Sequence, residues 1–299
     1  MNYTEKINVL IEALPYVNRF RKHIIVIKYG GNAMINADLR HSVMQDILMM
    51  KSVGMIPIVV HGGGPFISQM LDNLSIESHF VDGLRSTSEE AMKVAEMVLS
   101  GSVNNDIVRT FNHLGGNAIG LSGLDDHLIT VTKKKVIDPD SETQVDLGYV
   151  GNVESVNTLL LTNLIQADYV PIISSVGIGS DGHSYNINAD EVASAVAIAL
   201  GASKLIFLTN TPGLLADSQD PDSLISKLSI DEANQLIENK VITEGMIPKI
   251  NCCLEAITNG VDKVHIIDGR MSHSLLLELF FDMGIGTMLA HSNDDNKEV

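Results

Sequence analysis

MIPIVVHGGGPFISQML, residues 55–71, sets an apolar run directly against three consecutive glycines and a proline, then resumes with apolar residues at helical spacing. The run before His61 reads as a buried strand and the segment after Pro65 as a helix, with Gly62, Gly63 and Gly64 as the turn between them. Glycine loses more conformational freedom on folding than any other residue and gives the core no side chain. Three in a row at a strand-to-helix junction raise the question of what they serve. Backbone N–H groups that no Cβ shields, at the positive end of a helix dipole, form a cradle for phosphate or another anion. Pro65 suits the first helical position, where its missing N–H costs little.

The same grammar recurs along the chain. HIIVIKYGG (23–31) is a strand running into glycines, and ADLRHSVMQDILMMKSVG (37–54) a helix that Gly54 terminates. TSEEAMKVAEMVLSG (87–101) reads as a helix opened by a capping box of Thr87 and Glu90 and closed by Gly101; NNDIVRTFNHLGG (104–116) follows as a second helix. Between 118 and 156 the pattern turns to short β-rich pieces, hairpins placed over one edge of the sheet. TLLLTNLIQAD and YVPIISSVG restore the alternation, and NADEVASAVAIALGA, KLIFLTN, SIDEANQLIENKVI, MIPKINCCLEAITNG, KVHIID and HSLLLELFFDMG extend it. Such alternation predicts an α/β fold with a largely parallel sheet, in two lobes that meet near 180–185.

Ahead of this unit, NYTEKINVLIEALPYVNRF (2–20) carries Ile7, Leu10, Ile11 and Leu14 at helical spacing and then Pro15, an amphipathic helix kinked or ended near the proline. It either packs on its own domain or reaches another subunit. Twenty Lys and Arg against thirty-seven Asp and Glu give a formal charge of −17, which argues against a broad grip on nucleic acid or an anionic membrane. An anionic ligand must be held locally. No long apolar run or signal-peptide pattern is present, so a cytoplasmic protein is expected. Cys252 and Cys253 are adjacent in an apolar-periodic segment and read as packing residues, and the ten histidines show no metal-ligand spacing, so no metal held by protein side chains is expected. The polar tail SNDDNKEV reads as unstructured.

Several residues could carry chemistry. KYGG and HGGGP end two early strands; if these are neighbours in a parallel sheet, both turns lie at the carboxyl edge, where open α/β sheets bind ligands. Either turn alone is equally explained by tight geometry. Lys28 is a snorkelling strand lysine or a cation for that anion site, and Lys249, behind Gly245 and Pro248 at a helix start, is a second such cation. Phosphoryl transfer needs positioned cations and N–H donors to meet charge on the transferred group. Arg85 in DGLRST is a carboxylate fork or, more cheaply, a solvent-exposed arginine. In NINADEV, helix capping explains Asn188 and leaves Asn186 and Asp190 available; an aspartate near two lysines would keep them charged and oriented. GIGSDG (177–182) satisfies G-x-G-x-x-G, but no helix follows at once and the next strand ends in Asn210 where a ribose-binding acid belongs, so a dehydrogenase reading is weak. No Walker-type P-loop or protein-kinase catalytic loop occurs.

KYGGNAM, VVHGGGP, DGLRST, NINADEVASA, LTNTPGLL and GMIPKI, in this order over nearly the whole chain, closely resemble the acetylglutamate kinase branch of the amino-acid-kinase family. The resemblance implies an open αβα sandwich with a central, mainly parallel sheet. It implies residues 1–22 as an oligomerisation helix, 23–182 as an N-lobe for acceptor binding and dimerisation, and 183–299 as a C-lobe for ATP and an arginine effector. The implied reaction transfers the γ-phosphoryl group of ATP, with Mg2+ carried by the nucleotide, to the side-chain carboxylate of N-acetyl-L-glutamate in arginine biosynthesis. By the resemblance, Lys28 and Lys249 stabilise the transition state and Asp190 organises both. Gly30, Gly31 and Gly62 to Gly64 face the transferred phosphoryl and substrate, Arg85 and Asn186 hold the α-carboxylate, and Thr209 and Asn210 fall in the nucleotide region. It further implies arginine inhibition of a homohexamer, a trimer of dimers, with Tyr16, His273, Glu278 and Gly286 as effector contacts; in the photosynthetic branch such hexamers also bind a PII-type signal protein. Rival readings are carbamate kinase or glutamate 5-kinase on the same fold, or a non-catalytic arginine sensor.

Overall fold

The computed structural model describes residues 3–81, 83–137, 144–217, 220, 222–242, 245–280 and 284–291. The chain begins with α1 (Tyr3–Phe20), β1 (Ile24–Tyr29), α2 (Asn32–Ile35), α3 (Ala37–Ser52), β2 (Ile56–His61) and α4 (Gly64–Leu74). A short ribbon, β3 (Phe80–Val81) with β4 (Leu84–Arg85), leads into α5 (Glu89–Glu96), a π-helical turn (Met97–Val103) and α6 (Asn104–His113). Then come β5 (Ala118–Leu121), β6 (Ile129–Ile137), β7 (Gln144–Val156), α7 (Thr158–Gln166), β8 (Val170–Ser174), β9 (Val176–Gly179) and β10 (Ser184–Asn186). The C-terminal part adds α8 (Ala189–Ala199), β11 (Lys204–Thr209), β12 (Lys227–Ser229), α9 (Ile230–Glu238), α10 (Ile247–Thr258), β13 (Lys263–Asp268), α11 (Ser274–Phe280) and β14 (Thr287–Ala290).

Eight strands form one sheet in the order β12-β14-β13-β11-β1-β2-β8-β5, parallel from β13 to β5, with β14 antiparallel to β13. Strands from the first 174 residues occupy one half and strands from 204 onward the other, joined where β1 pairs with β11. A parallel sheet covered on both faces takes near-continuous β-branched runs, and β2, β8 and β11 are buried along almost their whole length. The period-2 alternation of β1 sends Ile25, Ile27 and Tyr29 into the core shared with α3 and the π turn, and Val26 into the core shared with α8 and α10. Lys28 has the parity of Val26 and thus faces α8 and α10. His61 has the parity of Val59 and faces the π turn.

The β-rich middle closes on itself as a small barrel, β10-β7-β6-β9, in place of loose hairpins over the sheet edge. GIGSDG is the β9–β10 hairpin, antiparallel with Ser184 opposite Ile178, so its glycines turn a ribbon and open no helix. Three local expectations change. Thr87 is not a cap: its hydroxyl donates to the Arg85 carbonyl (2.8 Å) and its backbone bridges to Gly148, while Ser88 caps α5 by accepting from Ala91 N–H. Gly101 closes nothing, because it sits inside the π turn that carries α5 into α6. Pro15 does not end α1, which continues to Phe20 and sets Tyr16 edge-on to Phe280 at 6.5 Å. Among the described residues no helix is long and apolar enough to cross a membrane. The tail 292–299 and Asp82 lie outside the described residues.

Two core imidazoles set an acid limit on stability. Burial pushes His61 down to about 4, and burial with the nearby Lys204 does the same to His265 against the opposing pull of Glu278. Both rings resist protonation when folded and accept it near 6.5 when unfolded, so the unfolded chain binds more protons in the window between. Stability is expected to fall as pH drops from 6.5 toward 4, by on the order of 1 kcal/mol per pH unit per ring. Urea titrations at pH 7.5 and pH 5 check this; an equal or higher midpoint at pH 5 would contradict it.

Candidate active site

The carboxyl ends of β1 and β2 open onto a cavity of about 350 Å³, lined by Lys28, both glycine turns, Arg85, Asn186 and Asp190, with Met34, Phe66, Leu84 and Leu99 as apolar walls; Thr209 and Asn210 at the end of β11 do not line it. α8 begins here, Asn188 capping it by accepting from Asp190 N–H (2.8 Å), which places Asp190 in the first turn facing β1. Lys28 Nζ lies 3.0 Å from Asp190 Oδ1, and Lys249, from the first turn of α10, donates to Asp190 Oδ2. All three side chains are mostly buried, at 13–16% exposure. Burial alone would raise the Asp190 carboxyl; the two lysines outweigh it and hold it at about 2. Three charged groups distant in sequence thus form one cluster with a net positive charge, facing the glycine turns.

The two turns are tied together, for Gly62 N–H donates to the Tyr29 carbonyl (3.3 Å). In KYGG, Gly31 has φ +66°, and a Cβ there would sit 2.4 Å from Asn210 Oδ1. That oxygen accepts from Asn32 N–H (2.8 Å), so Asn210 reaches from the end of β11 to the start of α2. Thr209 anchors its own strand end, donating toward the carbonyls of Thr211 and Ile267. In HGGGP, α4 begins at Gly64 with Pro65 in its first turn, and a Cβ on Gly63 would lie 2.6 Å from Leu99 Cδ2. The π turn packs closely on Gly63, so a side chain there would have to displace Leu99.

Arg85 is 8% exposed, which overturns its solvent-exposed reading. It stacks over Phe80 at 4.6 Å and donates to Ser78 Oγ (2.9 Å), Ser68 Oγ (2.5 Å) and the Gly64 carbonyl (3.2 Å). Among the described residues its hydrogen-bond acceptors are all neutral, so the guanidinium charge is oriented without being neutralised. Burial works against that charge, with Asp72 offsetting it in part. Asn186 lies beside it, its Nδ2 3.5 Å from Thr87 Oγ1.

The effector candidates lie elsewhere, around α11. His273 pairs with Asp46 (2.6 Å) and donates its N–H to Ser42 Oγ (2.8 Å). Glu278 pairs with His265 (2.6 Å) and accepts from Ile285 N–H (2.8 Å); a Cβ on Gly286 would meet the Ile266 carbonyl at 2.2 Å. Sequence reasoning missed Ser68, Ser78 and Asn104. Single serines and asparagines carry no pattern, whether on a helix like Ser68 and Asn104 or in a loop like Ser78, and only the tertiary fold brings them to Arg85 and His61.

Comparison with known proteins agrees with the fold. Residues 23–268 match the family described as "Amino acid kinase family". An acetylglutamate kinase of Carboxydothermus hydrogenoformans is 53% identical over 289 residues, 96% of this chain and 98% of that protein. One of Thermoanaerobacter pseudethanolicus is 49% identical over 293 residues, 97% of this chain and 96% of its own. Among solved structures, N-acetylglutamate synthase of Neisseria gonorrhoeae, complexed with coenzyme A and N-acetyl-glutamate, superposes with a TM-score of 0.83 at 25% identity, over 95% of this chain and 63% of that one. Carbamate kinase of Giardia lamblia shares the fold, with a TM-score of 0.66 at 16% identity over 90% of this chain and 99% of that one.

Proposed function

The chain belongs to the amino acid kinase family, and from that premise we propose that it transfers the γ-phosphoryl group of ATP to the side-chain carboxylate of N-acetyl-L-glutamate in arginine biosynthesis. The observation that carries the proposal is the Lys28–Asp190–Lys249 cluster facing two glycine turns at the carboxyl edge of the sheet. The acceptor carboxylate attacks the γ-phosphorus, the bond to the bridging oxygen breaks, and ADP leaves. In a loose transition state negative charge spreads over the transferred group and the leaving oxygen. The Lys28 ammonium meets the equatorial oxygens, Lys249 meets the leaving side, and glycine N–H groups complete the cradle. Asp190 holds both ammonium groups in place and takes no proton itself, since its carboxyl is held at about 2.

The oriented but unneutralised Arg85 fork, with Asn186, receives the α-carboxylate of the acceptor, and the apolar walls receive its acetyl group. An acceptor as small as carbamate would leave that fork empty, which favours N-acetylglutamate. Retention of both lysines and Asp190 weighs against a non-catalytic arginine sensor. Among the described residues no cluster of metal-ligating side chains occurs and Asp190 is engaged by lysines; the donors fit a polyphosphate that brings its own Mg2+. Thr209 and Asn210 border the nucleotide, residues 23–182 hold the acceptor, residues 183–299 hold ATP, and the cytoplasm is the compartment.

The proposal extends to regulation. The Tyr16–Phe280 contact brings α1 to the C-terminal segment that holds His273, Glu278 and Gly286, and this supports arginine binding there, in a hexamer linked through α1. Turnover with ATP and N-acetylglutamate, with glutamate and carbamate as control acceptors and with and without arginine, tests both parts. No acyl phosphate from any acceptor overturns the enzyme reading; turnover unchanged by millimolar arginine overturns the regulatory one. Arg85→Lys is expected to raise KM for N-acetylglutamate by about tenfold to a hundredfold with little change in kcat, because a point charge cannot replace a planar fork in binding that ground and transition states share.

A further inference from the structure

Beneath the glycine turn lies a polar chain that the reaction as described does not use. His61 is fully buried at the end of β2. Its Nδ1 stands 2.9 Å from the Gly62 carbonyl oxygen and its Nε2 stands 3.0 Å from Nδ2 of Asn104, where the π turn passes into α6. Asn104 Nδ2 also lies 2.9 Å from the Ile172 carbonyl oxygen, which identifies it as the amide's donor end. A carbonyl on one side and an N–H donor on the other fix the tautomer: Nδ1 carries the hydrogen and Nε2 accepts. Burial pushes this imidazole down to about 4, so the neutral ring that the geometry requires is the form present at neutral pH.

The consequence follows from peptide geometry. The Gly62 carbonyl and the Gly63 N–H belong to one planar trans peptide and point in opposite directions. A ring that draws the carbonyl into the core turns the Gly63 N–H away from it, toward the cavity. Glycine has no side chain to resist rotation of that peptide, so the turn depends on an external brace. Leu99, packed where a Gly63 Cβ would go, belongs to the same π turn as Ser100, whose Oγ meets Ser174 Oγ at 2.9 Å. The turn is thus held from below by the π turn as well as by the imidazole.

We propose that Asn104 and His61 are positioning residues of phosphoryl transfer: Asn104 orients the imidazole, and the imidazole locks the Gly62–Gly63 peptide so that its N–H points at the transferred group. The inference rests on the kinase reading above. Two variants separate the positioning bond from simple core filling. The amide nitrogen of His61→Asn takes the place of Nδ1 and can still donate to Gly62, whereas the amide of His61→Gln takes the place of Nε2 and cannot. Losing one aimed oxyanion-type donor costs about a hundredfold or more in kcat, so a donor merely left unaimed is expected to cost roughly tenfold or more.

Steady-state kinetics of both variants and of Asn104→Ala are measured with thermal melting and with the affinity for ADP plus aluminium fluoride. His61→Asn is expected to keep at least about tenfold more kcat than His61→Gln, with KM for ATP and for the acceptor within about threefold across the series. Affinity for the fluoride analogue should fall in parallel with kcat. Equal kcat losses in the two His61 variants, or losses confined to KM, overturn the proposal. If either His61 variant fails to fold, Asn104→Ala decides: kcat lowered at constant KM supports the brace, and kcat unchanged overturns it. Wild-type turnover serves as the control. Its absence overturns the kinase reading and this inference together, while its presence with equal losses overturns this inference alone.

Discussion

Lys28→Ala is expected to lower kcat by about a thousandfold or more while KM for ATP and for N-acetylglutamate moves by no more than about threefold. The asymmetry follows from where the charge is. In the ground state Mg2+ brought by the nucleotide would already offset part of the γ-phosphate charge, and Lys28 is shared with Asp190 at 3.0 Å. As the bond to ADP loosens, charge shifts within the transferred group and onto the leaving oxygen, and a mostly buried ammonium meets it without reorganising water. Gly30 leaves room for that ammonium, since a Cβ there would lie only 2.8 Å from Lys28 Nζ. Near-wild-type turnover in this variant would remove Lys28 from the mechanism. A matched rise in KM would make it a binding residue.

Asp190→Asn is expected to lower kcat by about a hundredfold or more, with KM for ATP unchanged or lower. The substitution keeps shape and removes one negative charge from between Lys28 and Lys249, which both contact that carboxylate. Two ammonium groups then repel across a partly dry cavity and lose their aim. They are also freed to bind ground-state phosphates, so affinity for the nucleotide does not fall with the rate. Pre-steady-state quench separates the two effects, since a slow chemical step with intact ATP binding is the expected result. A parallel loss of ATP binding would show instead that Asp190 holds the C-terminal half in shape.

Much of this was legible in the sequence because it depends on backbone geometry. Strand-to-glycine transitions at KYGG and HGGGP identify the carboxyl edge of the sheet, where the cavity lies, although the face that Lys28 takes emerges only from the packing of α8 and α10. What stayed illegible depended on partners that sequence does not announce. Thr87 and Glu90 have the spacing of a capping box, yet Gly148 claims the Thr87 backbone and Ser88 takes the cap. Gly101 looks like a terminator, but the helix absorbs it by widening into a π turn packed on Gly63. Arg85 reads as a carboxylate fork or, more cheaply, as a surface residue, because Ser68 and Ser78, which orient it, are seventeen and seven positions away and unmarked in the sequence.

The direct pairing of β1 with β11 has one more effect. The turns after β2 and β1 and the strand end at Thr209 stand on three neighbouring strands, held at the hydrogen-bonding pitch of a sheet, about 4.8 Å per step. The two glycine turns and the Thr209 strand end are therefore mounted on a single gauge block, and in the proposed reaction the gap a phosphoryl group must cross is set by that strand pitch. The β3–β4 ribbon and the barrel of β6, β7, β9 and β10 lie outside this sheet, so in the proposed reaction they are the parts to recut for a different acceptor while the spacing stays in calibration. Grafting those two inserts between relatives is a route to new acceptors that leaves the transfer distance untouched.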